Sequence, residues 1–174
     1  SGFAFENKHP IFLTNGTTLS TETAAAMVAA GVQQVIILGG TAVVSDAVKA
    51  SVEAVSGVIN SLRIGGADRY ETATLFATTI GAVDANFLAT IILVDGKNFP
   101  DALAASQRAS VKNAAIIPVT DPLPAVVSQF IAANKGTIQY IEVIGGVNAV
   151  PASVVTAAKN AATIAQPTAA IAAT

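Results

Sequence analysis

Residues 31–48 read GVQQVIILGGTAVVSDAV, and residues 137–154 read TIQYIEVIGGVNAVPASV, the same pattern displaced by 106 positions. Gly39-Gly40 falls on Gly145-Gly146, and Val35, Ile37 and Leu38 fall on Ile141, Val143 and Ile144. The register runs back without a gap to Leu13-Thr14, which falls on Val119-Thr120. A weaker repeat lies 55 positions apart, where IILGGTAVVSDAVKAS at 36–51 meets IILVDGKNFPDALAAS at 91–106. The repeating unit is one apolar strand, a glycine-containing turn and a helix, and such self-similarity decides the architecture before any single residue is weighed.

Working outward, short β-branched runs predict strands at Ile11–Thr14, Val35–Leu38, Val58–Ile64, Ile91–Val94, Ala115–Val119 and Gln139–Ile144. Alanine-rich stretches between them predict helices over Thr21–Ala30, Ser45–Ser56, Arg69–Gly81, Pro100–Val111, Pro124–Asn134 and Pro151–Ala162. Strands that alternate with helices of this length make βαβ units and a largely parallel sheet. Uniformly apolar strands fit a sheet covered by helices on both faces. The fold class is therefore α/β, built from repeated strand–helix units.

Helix starts account for several polar residues without chemistry. Asp68 can cap the helix that follows while Glu71, three residues on, reaches back in a capping box. Ser45, Pro100 and Pro151 fall on one repeat position at a helix start, where proline costs nothing. Asp46 and Asp101 come next, in a first turn that favours negative charge. Gly39, Gly40, Gly65, Gly66, Gly145 and Gly146 each follow a strand. They are expected in strand-to-helix turns, because none belongs to a dinucleotide or P-loop glycine pattern.

Composition removes whole classes. Apolar residues make up 52% of the 174 and charged residues 11%, a balance for burial and against disorder. No apolar run approaches the roughly 18 residues of a membrane span, so no membrane insertion is expected. The net charge of −2 lacks the basic excess of a nucleic-acid binder. Without cysteine there are no disulfides, thiolate nucleophiles or Cys-based zinc sites. His9, the single histidine, cannot by itself make a catalytic triad or metal cluster. No catalytic residue, metal or cofactor is expected.

The stretch RIGGADRYETA at 63–73, followed by TIILVDGKNFPDALAAS at 90–106, AAIIPVT at 114–120 and IEVIGG at 141–146, resembles the cell wall-binding repeat 2 family of Gram-positive surface proteins. On that resemblance, residues 1–62 are the rear part of a first module, 63–165 an essentially complete second one, and 166–174 a linker or frayed tail. Ser1 then corresponds to Gln107, within a helix. The resemblance implies a Toprim-like or Rossmann-like sandwich, secretion to the cell wall or surface, and non-covalent attachment there through an anionic wall polymer. It also implies packing against neighbouring modules, here with homo-oligomer formation as the expectation. Toprim enzymes hold Mg²⁺ with an Asp-x-Asp motif, which this chain lacks.

Candidate contacts to polymer are Arg63, Arg69 and Tyr70 of the opening motif, and Asp95, Lys97, Asn98 and Asp101 at the carboxyl end of a strand. That end is the usual ligand crevice of an open parallel sheet. The family's apolar motif adds Ile11, Phe12 and Leu13. Arginine suits phosphate or carboxylate through bidentate donation, yet an ion pair with Asp68, Glu71 or Asp95 explains Arg63 and Arg69 equally well. Asp101 competes likewise as a helix-start residue. Two other readings stay open: an enzyme or nucleotide/sugar-binding domain using the Asp95–Asp101 crevice, and a self-association or adhesion module.

Overall fold

The computed structural model describes residues 3–4, 7–163 and 170–171. In chain order it runs α1 (Thr21–Ala29), β1 (Gln34–Leu38), α2 (Asp46–Glu53), β2 (Asn60–Ile64), α3 (Arg69–Gly81), a 3₁₀ turn (Ala85–Leu88) and β3 (Thr90–Asp95). Then follow α4 (Pro100–Lys112), β4 (Ala115–Val119), α5 (Ala125–Ala133), β5 (Tyr140–Ile144), α6 (Ala152–Ala162) and β6 (Ala170–Ile171). Every strand pairing is parallel. The chain divides into two units, Pro10–Asp68 and Ser1–His9 with Arg69–Thr174. Strand β2 contains Arg63, the first residue of the second sequence module, yet it pairs with β1 inside the first unit.

In the larger unit the strand order is β4-β3-β5-β6. All six residues of β3 are buried, as a central strand covered on both faces must be. One face carries Ile91, Leu93, Ile117 and Val143 against Ala77, Ile80, Val127, Ile131 and Val154 of α3, α5 and α6. The other carries Ile92 and Val94 against Ala105 and Ala109 of α4. Alanine on α4 lets that helix approach the sheet closely. Phe3 also packs here, edge-on to Phe76 and Phe87 at 6.0 Å.

The smaller unit has two strands, β1 and β2. Its core is Met27 of α1 with Val48 and Val52 of α2 and nearby Val55. Ser20 and Ser45 cap these helices by accepting from Thr23 N and Val48 N, which satisfies otherwise orphaned amides. Pro151 occupies the cap position of α6, whereas Pro100 is the first residue of α4.

Two expectations change. Ile11–Thr14 forms no strand. Among the described residues its repeat counterpart, β4, pairs with β3 alone, and the smaller unit contains no strand in that place. The repeat register also has a gap. Strands β1 and β5 keep the 106-residue shift, but α1 and α5 begin at Thr21 and Ala125, two residues closer. An Asn15-centred turn, with Asn15 Oδ1 accepting from Thr17 N and Thr18 N, lengthens the chain before α1. Ala170–Ile171 pairs with Val143–Ile144; the rest of the tail at 166–174 lies outside the described residues.

Candidate functional site

In the larger unit, the start of α3 meets the turn between β3 and α4. Arg69 Nη1 donates to the Gly96 carbonyl at 2.7 Å. The Tyr70 ring lies so close to Gly96 that a β-carbon there would sit 2.5 Å from it. Gly96 N in turn donates to Val119 O at the end of β4. Glycine is required at 96 by this approach, and the result is a turn fixed from two sides.

Asp95 ends β3 and builds that turn. Its Oδ1 accepts from Lys97 N at 2.8 Å and its Oδ2 from the Asn98 amide at 2.7 Å. The Lys97 backbone N–H, then the Asn98 side chain and the Lys97 charge, hold the carboxyl below its usual range against the opposing effect of burial. Asp101 stands in the first turn of α4. Its Oδ2 would lie 2.7 Å from a β-carbon on Gly145, which also has φ of 131°. Only glycine admits both the carboxylate and that backbone.

Lys97, Asn98 and Arg69 are exposed around this turn. So are Phe99, Leu103 and Val147, the first 74% exposed. Sequence reasoning passed over Phe99, although an aromatic inside the polar run DGKNFPD was a readable signal. It also passed over Glu142, 7% exposed in mid-β5. Arg108 of α4 donates Nε and Nη2 to its two carboxyl oxygens at 2.8 and 2.7 Å. That bidentate bond, assisted by the Arg108 and Lys112 charges, holds the Glu142 carboxyl low despite burial.

Most of the other candidates fall in the smaller unit, with Glu71 and Gly146 in the larger. Arg63 Nη1 donates to Gly39 O and Val44 O at 2.9 and 2.7 Å, and Nη2 to Ser45 O and Asp46 Oδ1 at 3.3 Å. Its ion pair is thus with Asp46, and the guanidinium closes the turn between β1 and α2. Gly39 and Gly40 begin that turn, and Gly65 crosses so tightly that an added β-carbon would lie 2.4 Å from Gly40 N. Gly66 and Asp68 precede α3, Glu71 lies in its first turn, and Gly146 follows Gly145 in the β5–α6 turn. Ile11 and Leu13 are 63% and 84% exposed, while Phe12 turns into the Met27 core. An extended segment with this alternation offers two apolar side chains to solvent.

A general acid at neutral pH needs a raised carboxyl pKa, and Asp95 is shifted the other way with both oxygens engaged. Among the described residues no group of His, Cys, Asp and Glu could hold a metal ion. Among the described residues no helix is long and apolar enough to cross a membrane.

Comparison with known proteins bears on the family and the fold. The chain is 24% identical over 158 residues to the N-acetylmuramoyl-L-alanine amidase LytC of Bacillus subtilis (strain 168), covering 91% of this chain and 30% of the amidase. It superposes on Cwp8 from Clostridium difficile with a TM-score of 0.74 at 25% identity, over 92% of this chain and 26% of that one. For Cwp6 from the same organism the TM-score is 0.80 at 24% identity, over 91% and 24%. The chain therefore spans less than a third of each relative. The model of the cell wall binding domain 2 (CWB2) family matches residues 1–49 and 63–155, and with strands, turns and helices repeating in both stretches, the chain belongs to that family.

Proposed function

We propose that this chain holds a surface protein non-covalently on a Gram-positive cell wall by binding an anionic wall polymer, and that it catalyses no reaction. The observation that carries the reading is the family match over both stretches of the chain. The polymer contacts are Arg69, Tyr70, Lys97, Asn98 and Asp101 around the Asp95 turn, with Phe99 as an apolar platform, and Ile11 and Leu13 in the smaller unit. Cationic and amide donors beside an exposed ring suit a charged glycan, which offers anionic groups and the apolar faces of its sugars. The arrangement is local, as the chain's overall negative charge demands. In modular terms, residues 1–62 are the rear of one module and 63–165 a second, acting beside neighbouring modules or further copies.

Binding to purified walls, before and after chemical removal of their anionic polymers, tests the reading. Attachment should be lost with the polymer. Lys97→Gln should weaken attachment several-fold at low salt and less at high salt, as for an exposed charge, with unchanged melting. Retention on stripped walls would favour self-association or adhesion instead, and turnover of a nucleotide or sugar would overturn the non-enzymatic claim.

A further inference from the structure

Asn15 is the one asparagine of the chain that glycine follows. The pair has its own chemistry. A backbone nitrogen can attack the side-chain amide carbon before it and close a five-membered ring, and glycine leaves that approach uncrowded because it has no β-carbon. The fold holds the glycine in place. A β-carbon at position 16 would lie 2.8 Å from Val43 O, and Gly16 O accepts from Ser45 N at 2.9 Å. Water reaches the pair, since Asn15 is exposed and Gly16 half-buried. Among the described residues no backbone carbonyl accepts from Gly16 N, which leaves its proton open to exchange with solvent.

The amide is activated as well. Asn15 Oδ1 accepts from Thr17 N at 2.9 Å and from Thr18 N at 2.7 Å, and the hydroxyls of the same threonines lie at 3.2 and 3.1 Å. These bonds draw the side chain forward along its own backbone, toward Gly16 N. When that nitrogen adds to Cγ, negative charge gathers on Oδ1. Two backbone donors already point there, at the spacing that stabilises an oxyanion.

We propose that Asn15–Gly16 is a site of self-modification, promoted by its turn, at which a neutral amide becomes a carboxylate. Gly16 N loses its proton and bonds Cγ. The Cγ–Nδ2 bond then breaks, and Nδ2 leaves as ammonia after taking a proton from water. Water opens the ring in turn. Cleavage at Cγ gives aspartate, and cleavage at the backbone carbonyl gives isoaspartate, in which the main chain runs through Cγ. Aspartate keeps an oxygen for the Thr17 and Thr18 amides. Isoaspartate lengthens the main chain just ahead of Gly16, and so displaces the Gly16 carbonyl from Ser45, the N-cap of α2.

Peptide mapping of the intact chain, aged in mildly alkaline buffer, tests this. Acid should appear at Asn15 before any other asparagine, and faster as pH rises, because Gly16 N must first lose its proton. Asn15→Ser, which keeps an oxygen acceptor but has no amide, should abolish that early product. Once isolated, the isoaspartate form should melt below the parent, whereas Asn15→Asp should melt close to it. Earlier reaction at another asparagine, or ammonia released at the parent's rate from Asn15→Ser, would overturn the proposal. So would faster conversion in urea, where the Thr17 and Thr18 donors are lost, or an isoaspartate form that melts like the parent.

Discussion

The two arginines of RIGGADRYETA sit six residues apart and serve different ends. Arg63 joins three carbonyls and Asp46 within the smaller unit, whereas Arg69 spends one donor on Gly96 and stays exposed. The sequence showed two cations among nearby acids, but the partners of Arg63 are mainly carbonyls 18 to 24 residues away, which no residue type announces. Arg63→Ala should cost about 2 kcal/mol, seen as a lower urea midpoint with unchanged slope. Lysine should restore only part of it, lacking the planar fork. A second residue-scale expectation concerns acid. Asp95 and Glu142 both have lowered carboxyl pKa values when folded. The unfolded chain therefore takes up protons first as pH falls. Their stabilisation is complete above the ordinary carboxyl range and is lost through the depressed values below it. Glu142→Gln should lower the melting temperature near neutrality and flatten its fall from about pH 5 to 3. An unchanged acid slope would show that the Arg108 pair does not govern that loss.

Elements were the most legible scale. β4 and α3 lie where the period placed them, and the other helices and paired strands end within a few residues. The exception teaches most. Ile11–Thr14 has a strand's composition but no neighbouring strand, and β-propensity describes fitness for a pleated surface that must be present. The α1 shift was hidden because Asn15 sets the turn length through side-chain bonds. Asp68 stands immediately before α3 with Glu71 in the first turn. Asp68→Ala should cost about 1 kcal/mol through lost capping, and wall binding should fall only as far as folding does. Loss of binding at an intact melting temperature would assign Asp68 to the polymer.

For the whole molecule, the repeat revealed the strand–helix alternation. Contacts group Arg63 with the unit before it, because β2 completes a sheet with β1. A sequence boundary follows the repeating motif, while a physical one follows the burial of apolar faces. The two units also differ in what they bury. β3 is covered on both sides and flanked by two strands, while β1 and β2 keep one exposed apolar face. Backbone amides of β3 should exchange slowest and those of β1 and β2 markedly faster, since local opening tracks buried contacts. Uniform protection across both units would mean that they open together. Self-association, if wall attachment uses several weak sites, should raise avidity for a repeating polymer; sedimentation over micromolar concentrations reads it directly.

Pro118 bears on what happens when two copies meet. Val119 O receives Gly96 N from the β3 side, so even-numbered residues of β4 face outward, and the missing N–H of Pro118 is on that rim. Where two copies meet, a bare sheet rim can template strand pairing between them. A rim lacking a donor at its fourth residue cannot template an uninterrupted ladder. Contact between two copies along this side is then interrupted at Pro118 instead of propagated.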